Sequence, residues 1–279
     1  VNLTLRVLGR RAAGQPRAGY HELDSLVVFA GVGDRLTLTP AKAPGLAVAG
    51  PFAAALAAGG ANLALTALKR AAQVFDRPPN VALRLEKNLP VAAGIGGGSA
   101  DAAAVLSGLV ELWGLDPAQR ALHDLALSLG ADVPVCLAGR PCRVAGIGER
   151  VTPLPALPPA ALLLVNPREP LATPPVFAAR QGAFSPPLDW PADFADTAAL
   201  AAFVAAGGND LTAAAVSLVP AVRAVLDALA ALAPLARGMS GSGATCFALY
   251  DTLDEAAAAA ARLGAAQPGW WIAAAPLLG

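Results

Sequence analysis

Residues 89–101 read Leu89-Pro90-Val91-Ala92-Ala93-Gly94-Ile95-Gly96-Gly97-Gly98-Ser99-Ala100-Asp101, with four glycines in five consecutive positions. Such a backbone can take positive φ angles where a Cβ would clash, and so aim several neighbouring N–H groups at one point. Ala102 to Trp113 contains almost no helix breakers, with Ser99 or Asp101 the expected N-cap and Gly114 the expected C-cap. A glycine loop that feeds a helix gathers orphan N–H groups at the positive end of the helix dipole. Its natural guest is an anion, and phosphate above all. Two better-known glycine signatures are excluded. Ala100 stands where a Walker loop needs lysine, and Ser99 stands where a dinucleotide fingerprint needs its third glycine.

Cradled phosphates become chemistry when a metal ion neutralises them and a carboxylate orients or deprotonates an attacking hydroxyl. Asp132 is the only acid in the apolar stretch from Ala131 to Leu137. It reads either as that carboxylate or as a turn former after Gly130. His21 alone reads as a surface or structural residue; beside Tyr20 it offers a stacking face and a hydrogen-bonding edge suited to an unpaired base. Lys87 is either a solvated lysine at a strand end or, by its place just before the loop, a neighbour of the phosphates. A second glycine loop, Gly238-Met239-Ser240-Gly241-Ser242-Gly243, is either a plain turn or a second wall of the phosphate site.

Alternation and breakers predict the elements that must position these groups. Val1–Leu8, Leu26–Phe29, Arg35–Thr39 and Val81–Glu86 read as strands, with a loop through Gly14, Pro16 and Gly19. Ala61–Phe75 reads as a helix with Asn62 near its start, and Asp116-Pro117 as the cap and first turn of another running to Leu129. Cys136 falls in an apolar, strand-like run. Pro153, Pro155, Pro158 and Pro159 mark the expected domain boundary, giving domains 1–152 and 153–279. Beyond it, Ala161–Val165 reads as a buried strand, and Pro167–Pro191 as irregular apart from a short helix near Pro174–Arg180. Helices are expected at Thr197–Ala206, Asn209–Leu218 and Pro220–Leu232, then a strand Thr245–Tyr250, a helix Asp254–Leu263 and a strand near Trp270–Ala274. Strands and helices interleave irregularly. That favours a two-domain α+β architecture over a doubly wound sheet.

Composition narrows the partners. The 279 residues are 56% hydrophobic and 14% charged with formal net charge zero, so a general nucleic-acid surface is not expected. The longest apolar runs fall short of a membrane span, and Arg6, Arg10 and Arg11 are followed by no hydrophobic signal segment. Cys136, Cys142 and Cys246 are scattered and odd in number, which suits buried reduced thiols, and two histidines give no zinc-site spacing. A cytoplasmic protein is expected, as a monomer or weak homodimer.

Pro90-x-x-x-Gly94-x-Gly96-x-x-Ser99-Ala100 resembles the phosphate-binding motif of the GHMP kinase superfamily. Asn2-Leu3, Gly19-Tyr20-His21-Glu22-Leu23, Gly130-Ala131-Asp132-Val133-Pro134 and Gly241-Ser242-Gly243-Ala244 carry the likeness, in order, over the whole chain. These segments are similar to those of the GHMP kinases that act on a cytidine-diphosphate-linked methylerythritol. The resemblance implies a two-domain GHMP kinase fold with its active site in the cleft between domains. It implies transfer of the γ-phosphoryl group of ATP to the 2-hydroxyl of the methylerythritol moiety, with Mg²⁺ as cofactor, in isoprenoid precursor synthesis by the non-mevalonate pathway. Pro90, Ala92, Ala93, Gly94, Ile95, Gly96, Gly97, Gly98, Ser99 and Ala100 then match the ATP phosphate loop, with Asn62 and Lys87 around the nucleotide and Ser99 near Mg²⁺. Asn2, Tyr20, His21, Thr173, Phe177, Gly241 and Ser242 match substrate positions, and Asp132 matches the catalytic carboxylate. The alternatives are a GHMP kinase of the homoserine or mevalonate type, or a non-catalytic nucleotide-binding paralogue. The family carries a lysine two residues before the asparagine of the first strand. Only Val1 precedes Asn2 here, so the native chain is expected to continue upstream, and Asp132 to lack that cationic partner in the sequence given.

Overall fold

Val81, Leu83 and Leu85 point to one buried face and Ala82, Arg84 and Glu86 to the other, and this alternation makes residues 81–86 a strand at the expected boundaries. The computed structural model describes residues 1–15, 17–57 and 62–279; Pro16 and Ala61, expected in a loop and at a helix start, lie outside them. In chain order the elements begin with β1 (Arg6–Arg10), β2 (His21–Val27), β3 (Phe29–Ala30), β4 (Arg35–Pro40), β5 (Gly45–Ala49), α1 (Ala53–Ala57), α2 (Leu63–Val74) and β6 (Val81–Glu86). There follow α3 (Gly97–Trp113), α4 (Arg120–Leu129), α5 (Val133–Ala138), β7 (Cys142–Gly146), β8 (Arg150–Pro153), β9 (Ala161–Asn166) and α6 (Thr173–Ala179). The chain closes with α7 (Thr197–Gly207), α8 (Thr212–Leu218), α9 (Ala221–Ala230), β10 (Ala236–Met239), β11 (Cys246–Tyr250), α10 (Leu253–Ala266) and β12 (Trp271–Leu278).

These elements form two compact units, one of residues 1–32, 92–95 and 140–279, the other of residues 33–91 and 96–139. These units divide the chain at 32/33, 91/92, 95/96 and 139/140, not at the boundary expected at 152/153. β7 pairs with β2 and β8 with β7, completing a sheet of order β1-β2-β7-β8 that the N-terminal strands begin. The proline cluster at 153–159 only links β8 to β9 inside one unit.

In the first unit, the five-stranded sheet β10-β11-β9-β12-β3 has β9 at its centre, buried along its whole length. Leu163 and Val165 face one hydrophobic cluster while Leu162 and Leu164 face a second, so a continuous apolar run covers both sides of the sheet. In the second unit, β6 pairs antiparallel with β4 and parallel with β5. Ala64, Leu68, Leu83, Leu106, Leu109, Leu122 and Val133 make one core from that sheet and the helices α2 to α5. A Cβ on Gly108 would sit 2.9 Å from Leu38 Cδ2, so glycine there lets α3 lie close against β4.

Several expected boundaries shift for local reasons. α3 begins at Gly97, not after Ser99 or Asp101, with Gly96 as its N-cap; Gly114 is its C-cap as expected, at φ 63°. Asp116 does not cap α4. Its Oδ1 accepts from Ala118 N at 2.9 Å in a turn of its own, and the helix starts later behind Gln119. Cys136 lies in the helix α5 and not in a strand, because Pro134 occupies its first turn and Gly139 ends it. β5, α1, β7 and β8 were not anticipated. No helix among the described residues is long and apolar enough to cross a membrane. Leu106 is 1% exposed at the centre of the second core; Leu106→Ala is expected to cost about 2–5 kcal/mol of unfolding free energy in a urea titration.

Candidate active site

The glycine loop alternates hand as its composition requires, with positive φ at Ala92 (53°), Gly94 (71°) and Gly96 (73°). Ala92 holds that conformation with a Cβ, at a cost glycine would not carry. Pro90 is buried as the chain enters the loop; Ala92, Gly98 and Ala100 are exposed, and Ile95 is half-buried. Gly96 brings no side chain to cap α3. Its carbonyl accepts from Ala100 N at 2.8 Å, and among the described residues the N–H groups of Gly97, Gly98 and Ser99 find no acceptor. α2 makes the contrast, because there Asn62 Oδ1 accepts from Ala64 N at 2.8 Å and Leu65 N at 3.3 Å. Asn62 is thus a structural cap, with its side-chain NH₂ left to offer. The bare helix start of α3 is built to receive an anion. The Ser99 hydroxyl also has no partner among the described residues.

Behind this helix start, Lys87 Nζ lies 2.5 Å from Asp34 Oδ2 and 3.1 Å from Asp101 Oδ2. Burial pushes the Asp101 carboxyl up to about 6, with Lys87 pulling against it. The same unit holds Asp132, at the N-cap of α5, a helix that packs on α3 through Val133, Cys136 and Leu137. Its carboxylate accepts no hydrogen bond from the described residues. The side chain still reaches solvent, yet the protein crowded around it raises its pKa above the ordinary carboxylate value of 3.8. Among the described residues no group of three or more His, Cys, Asp or Glu is arranged to hold a metal ion.

In the other unit, residues 92–95 rest on the second glycine loop. Ser240 Oγ donates to Gly94 O and accepts from Asn2 N, both at 3.0 Å, and Thr245 N donates to Ala93 O at 3.1 Å. Asn2 Nδ2 donates to Ser25 Oγ at 2.9 Å, so the asparagine expected at the substrate is tied into this network by backbone and side chain. Asn209 Nδ2 donates to Met239 O and Gly241 O at 2.7 and 2.8 Å and fixes the second loop. Thr173 Oγ1 and Ser242 Oγ lie 2.8 Å apart and join α6 to that loop. One turn along α6, the Phe177 ring stacks on His21 with centroids 4.9 Å apart and planes inclined by 26°. Burial lowers the His21 pKa, and the charges of Arg10 and Arg180 lower it further. The imidazole is therefore neutral near pH 7, with one nitrogen to donate and one to accept. Tyr20 beside it is 58% exposed, a large aromatic face open to solvent.

Sequence reasoning missed Ser240, Asn209, Asp34 and Asp101. Ser240 sat in a motif already noted, but its partner Gly94 is 146 residues away. Asp34 lies 53 residues from the lysine it meets, with no local signal for the contact.

Residues 59–140 match the family GHMP kinases N terminal domain and residues 193–269 match GHMP kinases C terminal. A 4-diphosphocytidyl-2-C-methyl-D-erythritol kinase from Paramagnetospirillum magneticum is 54% identical over 279 residues, covering 100% of this chain and 96% of its own. One of the same name from Rhodospirillum rubrum is 49% identical, covering 100% and 90%. A crystal structure of 4-(cytidine 5'-diphospho)-2C-methyl-D-erythritol kinase superposes with a TM-score of 0.80 at 37% identity, over 100% of this chain and 97% of that one. Homoserine kinase from Cytophaga hutchinsonii, at 15% identity and TM-score 0.64 over 99% and 95%, shares the fold.

A Cβ on Gly94 would lie 2.2 Å from Gly243 O at a positive φ. Gly94→Ala is expected to lower the thermal midpoint and cost roughly 1–3 kcal/mol of stability, read by denaturant unfolding. For His21, a folded-state pKa below 6.5 means that stability is fully present above pH 6.5 and is lost as pH falls through the folded value. The wild type should therefore lose more thermal stability than His21→Phe between pH 7.5 and about 5.5.

Proposed function

The chain belongs to the 4-diphosphocytidyl-2-C-methyl-D-erythritol kinase family of the GHMP kinases, and on that footing we propose that it transfers the γ-phosphoryl group of ATP to the 2-hydroxyl of 4-diphosphocytidyl-2-C-methyl-D-erythritol, in the non-mevalonate route to isoprenoid precursors. One observation supports the reading: three consecutive N–H groups at the start of α3, those of Gly97, Gly98 and Ser99, find no acceptor among the described residues, after a loop with positive φ at Ala92, Gly94 and Gly96. They hold phosphate oxygens and stabilise the charge that spreads over them during transfer.

Mg²⁺ bound with the nucleotide would supply neutralisation of phosphate charge, and the Ser99 hydroxyl, without a partner among the described residues, is the group that would hold it. Asp132 aligns the acceptor hydroxyl and takes its proton. Its raised pKa makes it a stronger base than an ordinary carboxylate. Tyr20, His21 and Phe177 take the cytosine end. A neutral imidazole can both donate to and accept from a pyrimidine edge, and the exposed Tyr20 ring gives the base a face to stack on. Thr173, Gly241 and Ser242 lie along the same element and loop and take the sugar-phosphate part. Burial raises the Cys142 thiol to about 11 and the Cys246 thiol to about 12. Such thiols stay protonated and inert, which suits a reducing cytoplasm; the chain acts as a monomer or weak homodimer.

Asp132→Asn is expected to lower kcat by roughly 10²–10⁴-fold in a coupled ADP-release assay, with binding of an ATP analogue changed by less than about threefold. Turnover requires ionised Asp132, so the wild-type rate falls as pH drops through its raised pKa, and the acid limb lies above that of an unperturbed carboxylate at 3.8. Homoserine and mevalonate should not be turned over at comparable rates. Wild-type turnover in the asparagine variant removes Asp132 from the reaction, and equal rates with either small alcohol remove the cytidine substrate.

A further inference from the structure

Lys87, matched above to the surroundings of the nucleotide, has little left to offer one. Its side chain is 3% exposed, between carboxylates that are 4% (Asp34) and 8% (Asp101) exposed. Asp34 stands just before β4 and uses its second oxygen to accept from Asn88 N at 2.6 Å and Leu89 N at 2.9 Å. Asp101 lies in the opening turns of α3. A Cβ on Gly97 would come within 3.3 Å of Lys87 Nζ and 3.7 Å of Asp34 Oδ2. One cation thus ties the start of β4, the end of β6 and the start of α3, and it stands directly behind the first residue of the helix.

We propose that Lys87 is a positioning residue: through Asp34 and Asp101 it fixes the angle at which α3 presents the N–H groups of Gly97, Gly98 and Ser99, and so governs affinity for ATP without touching it. An ammonium has three donors, and two of these are engaged with carboxylates under the helix. Charge-assisted bonds have fixed lengths and directions, so they specify where a helix end sits more sharply than apolar contacts do. Buried ion pairs add little net stability against apolar substitutes, which makes geometry the better account of why this one is present. A displacement of about 1 Å in an element that binds a reacting group is enough to cost up to 10²-fold in rate. The proposal rests on the assignment of the loop to ATP.

The test compares wild type with Lys87→Met, Asp101→Asn and Asp101→Ala by calorimetric titration with the Mg²⁺ complex of a non-hydrolysable ATP analogue and, separately, with CDP. KM for both substrates and kcat are measured alongside. Lys87→Met is expected to bind the ATP analogue on the order of tenfold more weakly and to raise KM for ATP in step, with CDP affinity within about twofold of wild type and a cooperative melt retained. Asp101→Asn keeps an oxygen that accepts from Lys87, and is expected to lose less ATP affinity than Asp101→Ala. Lys87→Met that binds the analogue as wild type does, or that weakens both ligands equally, overturns the proposal. If Lys87→Met does not fold, the Asp101 pair decides, and equal affinities in the two variants overturn it. Wild type that binds CDP but not the ATP analogue would instead overturn the assignment of the loop on which the proposal rests.

Discussion

A helix that begins without a side-chain cap leaves its first N–H groups for water or a ligand to satisfy. The start of α3 is such a place. Asn62 closes α2 with its own side chain, Asp196 closes α7, and Thr252 with Glu255 closes α10 by a reciprocal pair of bonds. At α3 the sequence instead puts Gly96, Gly97 and Gly98, which bring no side chain at all. Within its own unit, Lys87 with its two carboxylates sets the helix end from behind. Within the other unit, Ser240 and Thr245 hold the carbonyls of Gly94 and Ala93.

Each compact unit carries part of the proposed site on its own hydrophobic core. In the unit of β4, β5 and β6, the apolar faces of α2 to α5 close over one core, and that core carries both the helix start and Asp132. In the unit around β9, two clusters on opposite faces of one sheet support the second glycine loop and the α6 helix with Phe177. Asp24, fully buried in β2, accepts from Arg143, Leu188 and Trp190 together and so anchors the proline-rich segment that follows α6.

Much of this was legible because short-range chemistry governs it. The run from Val81 to Glu86 could only be a strand with alternating faces, and Gly114 ended α3 because glycine takes the left-handed angle at no cost. The glycine loop and Asp132 stood out because an unbroken glycine cluster and a lone acid in an apolar run each conflict with local packing rules. What the sequence hid was contact over distance. Nothing near Lys87 announces Asp34 or Asp101, so a buried strut read as a solvated or nucleotide-facing lysine. The proline cluster after Arg150 read as a domain boundary because composition marks irregular chain. It does not reveal that β7 pairs back onto β2 and β8 onto β7. Asp116 misled for a different reason, since the same side chain can cap a helix or close a turn, and only the backbone angles decide.

The central claim is that the bare N–H groups at the head of α3 grip a polyphosphate. Amide proton NMR of protein titrated with the Mg²⁺ complex of a non-hydrolysable ATP analogue measures this most directly. The account predicts large downfield shifts confined to Gly97, Gly98 and Ser99 and their immediate neighbours, as strong hydrogen bonds to anionic oxygen replace bonds to water. Saturation of binding with those three signals unmoved would contradict it.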